Sequence, residues 1–387
     1  MDYSKFNFIT QNFFFNSKII KINIVEAGLI NNTYIIEHLY NGKKSKFVLQ
    51  SLSNIFESHE IVNINHKLIT DHIKNRIDNN SFDFHCKKWK VPSLIKCKSN
   101  NLFSFPFELD VWRALVYIDE SFVLNILEDV TMAYKVGVGL SKFHLFCSDF
   151  KHSNLKTSLK YFHNTSYYLD QYIYTLNNYN FEKLDDELKK RIQDLINSLS
   201  RHIPYVDFLF KSLMKESIDP NIIHGDPKLS NFLFDMKCKD VISLIDLDTV
   251  SLGYLLTDLA DCIRSICNLV GDDPNNKEDV FFDIKSCKFF LKGYFSISKE
   301  HQNASFRFLP EFIYLIIFEL TIRFLTDFLQ SNSYFNIEYA THNLYRAEVQ
   351  FRLLSSFVDQ IPTLLKSLYN FGITSSSTFV NDIQKIV

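Results

Sequence analysis

Glycine and proline are scarce in this chain, 9 and 8 of 387 residues, set against 38 Phe and 19 Tyr. Disordered, collagenous and linker-rich chains depend on the flexible or extended backbone that those residues supply, so the composition excludes them. Cysteine is low and odd in number, seven, with no C-x-x-C pair, and most lie in apolar stretches such as Phe146-Cys147 and Ile266-Cys267. They read as the reduced, buried, small hydrophobes of a cytoplasmic protein, not as a disulfide framework or a zinc site. No long run of like charge occurs and the formal net charge is -2, so a nucleic-acid footprint is not indicated. The longest strongly apolar run, Phe312 to Phe318, is far short of the roughly 20 residues a membrane span needs, so no membrane partner is expected. Met1-Asp2-Tyr3-Ser4-Lys5 lacks a basic region followed by an apolar stretch, which argues against secretion.

What is present is ample apolar surface, 46% of residues, enough for two compact domains with large cores. The hydrophobic period divides the chain. From Ile19 to about Val116 it is strand-like: Lys18 to Ile24 alternates, Thr33 to Glu37 follows Gly28, and Lys46 to Gln50 follows the turn Asn41-Gly42. One helix, between Glu57 and Ile77, interrupts these strands, and Leu109 to Ile118 reads as a further strand. From Ser121 helical spacing dominates, through Val130 to Phe146, Ser166 to Tyr179, Leu184 to Leu199, Pro204 to Lys215, and from Glu278 to the C-terminus. Embedded among the helices, Phe232 to Asp235 and Val241 to Ile245 read as two short strands joined by a polar turn. The expected layout is α+β: a small antiparallel-sheet lobe, residues 1–116, and a large, mainly helical lobe, residues 117–387.

Polar residues bracket that embedded hairpin. Before it lies His224-Gly225-Asp226-Pro227-Lys228-Leu229-Ser230-Asn231, and after it Asp246-Leu247-Asp248-Thr249. An Asp followed five positions on by an Asn, with a His two before the Asp, fits a phosphotransferase catalytic loop. Phosphoryl transfer demands positioning and charge neutralisation more than covalent help, and one carboxylate must hold the acceptor hydroxyl in line with the γ-phosphorus. Asp226 fits that role. Magnesium takes hard oxygen ligands, for which Asn231 and Asp246 are candidates, with Asp248 as a second-metal or outer-shell carboxylate. The bland alternative is that Asp226 caps a turn and His224 is a core histidine.

These motifs resemble those of the aminoglycoside phosphotransferase and choline kinase superfamily, and several stretches resemble its N-acetylhexosamine 1-kinase branch. The matching pieces are Gly28-Leu29-Ile30-Asn31-Asn32-Thr33-Tyr34, Phe47-Val48-Leu49-Gln50, Trp112-Arg113, Phe162-His163-Asn164-Thr165, Ile245-Asp246-Leu247-Asp248-Thr249-Val250, and Arg323-Phe324-Leu325-Thr326-Asp327. Tyr334-Phe335 and His342-Asn343-Leu344 continue the series, so the resemblance runs from about residue 20 to about residue 355. It implies a two-lobed protein-kinase-like fold, ATP and Mg2+ as cofactors, Asp226 as catalytic base, and Asn231 and Asp246 as magnesium ligands. It also implies a small-molecule acceptor, a hexosamine sugar, bound by Arg323 and Tyr334.

An Arg in an apolar helical run is costly unless paired or facing a polar site, and the alternative for Arg323 is an ion pair with Asp327 at i+4. His163 is either an acceptor-side residue or a core histidine. Gly28, Asn32 and Thr33 suit a turn covering nucleotide phosphates, or an ordinary hairpin. Gln50 stands where protein kinases carry the strand lysine that pairs with the phosphates, which leaves that cation unidentified; Lys46 would need an odd strand register. Pro227-Lys228-Leu229-Ser230 departs from the Thr-Lys-Ile-Asn expected in the branch, which puts the acceptor preference in question. The rival readings are a kinase of the same fold acting on choline, an aminoglycoside or another sugar, and a nucleotide-binding pseudokinase.

Overall fold

The computed structural model describes residues 2–25, 30–79, 88–297 and 304–374. Its strands are β1 (Lys18–Val25), β2 (Asn32–Tyr40), β3 (Lys43–Leu52), β4 (Leu94–Ile95), β5 (Phe105–Phe107), β6 (Asp110–Val116), β7 (Ser121–Phe122), β8 (Asn221–Ile223), β9 (Phe232–Asp235), β10 (Val241–Leu244) and β11 (Ser251–Gly253). Its helices are α1 (Tyr3–Phe13), α2 (His59–Asp78), α3 (Val130–Cys147), α4 (Thr165–Asn178), α5 (Asp186–Leu213), α6 (Leu255–Cys267), α7 (Ile284–Phe295), α8 (Leu309–Leu329) and α9 (His342–Asn370).

Two compact units divide the chain. The first comprises Met1–Val123, Phe146–Lys160 and Ser230–Leu252, so it takes in the embedded hairpin as well as the N-terminal strands. Its larger sheet is antiparallel, ordered β1-β2-β3-β6-β4, with β5 also on β6. The β2–β3 turn carries positive φ at both central residues, Asn41 (49°) and Gly42 (74°), which suits the right-handed twist of a tight hairpin. Ahead of the sheet lies α1, for which the strand pattern gave no hint. Asp2 caps it by accepting from the backbone N–H groups of Ser4 and Lys5, and Phe6, Ile9 and Phe13 bury against Ile22, Ile36, Phe47, Leu49 and Trp112. The hairpin β9–β10 extends to β7, giving a second sheet ordered β10-β9-β7.

The second unit comprises Leu124–Leu145, Tyr161–Leu229 and Gly253–Val387. Its centre is α8, buried along nearly its whole length and packed by α4, α6 and α9. The crossing of α3 with α7 brings backbone against backbone. A Cβ on Gly137 would lie 2.1 Å from the carbonyl oxygen of Phe290, and one on Gly293 would lie 2.0 Å from that of Tyr134. Only glycine permits this approach.

The segments Leu184 to Leu199 and Pro204 to Lys215, expected as separate helices, form the single helix α5 with Pro204 inside it. Proline removes one N–H and leaves the Ser200 carbonyl without its helical donor, at a point of the helix where both residues are solvent-exposed. Five of the cysteines, Cys97, Cys147, Cys262, Cys267 and Cys287, are buried as expected; Cys238, in the β9–β10 turn, is exposed, and Cys86 lies outside the described residues. Among the described residues no helix is long and apolar enough to cross a membrane.

Glu311, in the first turn of α8, is 3% exposed, and its Oε2 has no hydrogen-bond partner among the described residues. Burial pushes its carboxyl up to about 8 from 4.5, against the opposing pull of its backbone hydrogen bond and Arg307. The folded chain therefore holds a proton that the unfolded chain releases, and stability falls as pH rises from 4.5 towards 8. Glu311→Gln should stabilise the protein by about 2–3 kcal/mol at pH 7 and have little effect near pH 4, measured by thermal denaturation at both pH values.

Candidate active site

Within the first unit the sheet places three polar residues in one row. Thr33 on β2 pairs with Gln50 on β3, and Gln50 pairs with Arg113 on β6. The Gln50 amide donates to Thr33 Oγ1 at 3.0 Å, while its Oε1 accepts from Arg113 Nε at 2.9 Å and Nη2 at 2.7 Å. The same Nη2 donates to Asp248 Oδ1 at 2.6 Å, and Asn31 Nδ2 donates to Asp248 Oδ2 at 2.7 Å. Arg113 is 0% exposed and Asp248 3%, so this is a buried ion pair completed by neutral partners. Ser158 Oγ donates to the Asp248 carbonyl at 2.8 Å, and α2 packs on the turn Leu247–Thr249.

Both oxygens of Asp248 are thus engaged by this chain, one by a cation, and its visible work is to fix that turn to the sheet. Gln50 serves Arg113. Lys46 lies 3.4 Å from Glu37, its register partner, and over the Tyr117 ring. At the ends of the β9–β10 hairpin, Ile245 N donates to the Asn231 carbonyl at 2.9 Å, which brings Asn231 beside the start of the Asp246 turn. Asp246 has φ 65°, a left-handed conformation that a non-glycine residue seldom adopts. The chemistry of this pair, one amide oxygen and one carboxylate, fits a hard divalent cation. Asn32 is exposed at the start of β2, and Gly28 lies outside the described residues.

The second unit brings together Asp226, His163, Arg323 and Tyr334. Lys228 Nζ donates to Asp226 Oδ2 at 2.8 Å, and Asp226 N donates to His224 Nδ1 at 3.3 Å. Burial tends to raise the Asp226 carboxyl, but Lys228, with His224 and Arg264, holds it below its ordinary value; it is a carboxylate. Its neighbour Asp261 moves the other way, driven up by burial and by the charge of Asp226, despite the cation of Arg264 at 2.8 Å. The loop is gripped from beneath by Asp258, 0% exposed, whose oxygens accept from His224 N at 2.7 Å and Gly225 N at 2.8 Å. Asp258 is held in turn by His144 Nε2 at 2.9 Å, and His144 Nδ1 meets the Tyr294 hydroxyl at 2.8 Å.

Arg323 does not pair with Asp327. Both oxygens of Asp327 are taken by Tyr334 N, Phe335 N and Asn343 Nδ2, contacts that shape the turn carrying Tyr334. Instead the Arg323 guanidinium reaches Tyr334 Oη at 3.3 Å and Glu319 Oε1 at 3.9 Å. It is framed by the rings of Phe162, Tyr168, Tyr334 and Phe335, with centroids 4.6 to 5.5 Å away. Burial alone would lower its proton affinity, but Tyr168, Tyr334 and Glu319 more than reverse this.

Sequence reasoning missed Arg113's partner, Lys228, Glu319 and Asp258. Lys228 lies inside the catalytic string, and Glu319 precedes Arg323 by one helical turn, so both had a local signal. Arg113 with Asp248 and Asp258 with the loop backbone are long-range pairs that leave none.

Residues 107–278 match the model of the phosphotransferase enzyme family, APH, a stretch that contains the whole catalytic string and the hairpin. The fold is kinase-like, an antiparallel-sheet region followed by a helical region. The amicoumacin kinase hAmiN, solved with AMP-PNP, Ca2+ and Ami, has a TM-score of 0.55 at 14% identity, over 91% of this chain and 94% of that one. An aminoglycoside phosphotransferase from Alicyclobacillus acidocaldarius gives 0.56 at 11% identity, over 92% and 96%. A choline kinase from Cryptosporidium parvum gives 0.51 at 15%, over 95% and 99%. Residues 107–278 are thus similar to the phosphotransferase enzyme family, and the solved structures, at 11 to 15% identity, share the fold of the chain.

Proposed function

We propose that the protein is an ATP- and magnesium-dependent kinase that phosphorylates the anomeric hydroxyl of an N-acetylhexosamine, giving the sugar 1-phosphate. Asp226 accepts a hydrogen bond from that hydroxyl and orients its oxygen for in-line attack on the γ-phosphorus. A carboxylate held below its ordinary pKa is a weak base, and it suffices here because an anomeric hydroxyl is more acidic than an ordinary alcohol. Lys228, 2.8 Å from Asp226, supplies a cation for the charge on the transferring group. Asn231 and Asp246 would hold magnesium, which when bound neutralises phosphate charge. Thr33 and Asn32 would approach the nucleotide, while Asp248 acts by fixing the turn that carries Asp246.

The observation that carries the acceptor class is the ring-framed guanidinium of Arg323. Choline-like and aminoglycoside acceptors are cations, and an aromatic frame is how proteins hold such groups. Here that frame is filled by the chain's own cation, which repels a second one and offers N–H donors to the carbonyl and hydroxyl oxygens of a neutral N-acetyl sugar. Purified protein incubated with ATP, Mg2+ and N-acetylglucosamine or N-acetylgalactosamine should yield a sugar 1-phosphate by phosphorus NMR. Consumption of choline or an aminoglycoside with neither sugar touched would replace this acceptor assignment and leave the kinase class standing.

A further inference from the structure

We propose that His163 is a positioning residue whose imidazolium links Glu319 to the Gly225 carbonyl and so fixes the peptide that carries Asp226. The inference rests on Asp226 orienting the acceptor. His163 Nε2 lies 2.6 Å from the Gly225 carbonyl oxygen. A carbonyl only accepts, so Nε2 carries a proton. On the other side of the ring, Nδ1 faces Glu319 Oε1 at 3.4 Å, an ion-pair distance without hydrogen-bond alignment, while Glu319 Oε2 accepts from the Thr165 hydroxyl at 2.8 Å. A bare nitrogen lone pair turned towards a carboxylate is repelled, and a second proton on Nδ1 converts that repulsion into attraction.

Gly225, with φ 88°, is therefore held at both ends: its N–H by the Asp258 anion at 2.8 Å and its C=O by the His163 cation at 2.6 Å. Opposite charges on the two faces of one residue leave little rotational freedom to the peptide that leads into Asp226. The backbone around the ring is strained in support of this aim, since Tyr161 and His163 both adopt left-handed conformations, φ 61° and 59°. The charged groups acting on the ring come from two helices: Glu319, itself 3.9 Å from Arg323, belongs to α8, and Asp261 belongs to α6. Burial opposes the charge on His163, but Glu319, Asp261 and the Gly225 carbonyl outweigh it, and the ring titrates above its ordinary 6.5. Nε2 is taken by the Gly225 carbonyl and Nδ1 is buried facing Glu319, so neither ring nitrogen is open to an acceptor.

Turnover should accordingly carry an alkaline limb: as pH rises through the titration of His163 the Nδ1 proton leaves, Glu319 repels the ring, and the grip on Gly225 is lost. Two measurements test this on the full chain. The first needs no acceptor: the His163 ring resonance, assigned by its loss in His163→Gln, should titrate above 6.5 and move down in Glu319→Gln. A midpoint at or below 6.5 overturns the proposal. The second is the pH profile of kcat and KM with N-acetylglucosamine. His163→Gln, which can still donate to the carbonyl but carries no charge, should lose on the order of tenfold to a hundredfold in kcat, with acceptor KM within about twofold and the alkaline limb gone. A raised acceptor KM at unchanged kcat would make His163 an acceptor ligand and overturn the proposal. Glu319→Gln, expected to shift the limb to lower pH, carries the test if His163→Gln fails to fold. If wild-type protein phosphorylates neither hexosamine, the acceptor reading falls alone, and the ring titration still decides this proposal.

Discussion

Asp226→Asn should lower kcat by about 10²–10⁴-fold and leave the KM for ATP nearly unchanged, in steady-state assays that follow ADP release. The amide keeps the size of the carboxylate and one acceptor oxygen, so acceptor and nucleotide still bind. What it loses is the negative charge that faces Lys228 Nζ at 2.8 Å and that the acceptor proton approaches in the transition state. The loss should be nearly constant across neutral pH, because the wild-type carboxyl titrates below 3.8 and contributes no acid limb there. Retention of full activity would remove Asp226 from the mechanism. A wild-type protein that gains thermal stability with Mg2+ and ATP but turns over no acceptor would support the pseudokinase reading instead.

The second large effect is on stability. Arg113→Met should cost about 3–5 kcal/mol, read from urea denaturation, because it strands a charge that has no route to water. Asp248 would keep Asn31 Nδ2 but lose its only cation among the described residues, at 2.6 Å, and Gln50 Oε1 would lose both of its Arg113 donors. The double variant Arg113→Met with Asp248→Asn should recover a substantial part of the loss, since the stranded charge is then gone. A single variant as stable as wild type would show that the pair is dispensable. This arrangement also gives a physical reason for Gln50. A lysine there would set a second cation against Arg113, whereas the glutamine carbonyl accepts from it.

The sequence exposes what is local. Asp226 and Asn231 sit in one loop, two short apolar strands joined by a polar turn follow it, and Asn41-Gly42 announces the β2–β3 turn, so each could be read from a window of a few residues. The α+β order of strands before helices was legible for the same reason. Pro204 misled because proline is read as a helix break, whereas it sits on the exposed face of a helix that continues through it. The partners of Arg113 and the grip of Asp258 on the loop were illegible. The first links positions 113 and 248, and the second acts through backbone N–H groups, which every residue carries. Helix α1 was missed although Asp2 is a capping residue and Phe6, Ile9 and Phe13 recur at helical spacing, because Phe8, Phe14 and Phe15 blur that period in the sequence.

The glycine crossing of α3 and α7 has a mechanical consequence. Gly137 stands about two turns before His144 on α3, and Gly293 is the immediate neighbour of Tyr294 on α7. The spacing of the two helices thus acts as a gauge for the Tyr294–His144 contact of 2.8 Å, and through Asp258 for the height of the loop that bears Asp226. Widening the gauge by even one methyl group would be transmitted along a stiff chain of short contacts. Damage done by helix packing would then register as a fault in chemistry, at a place with no substrate nearby.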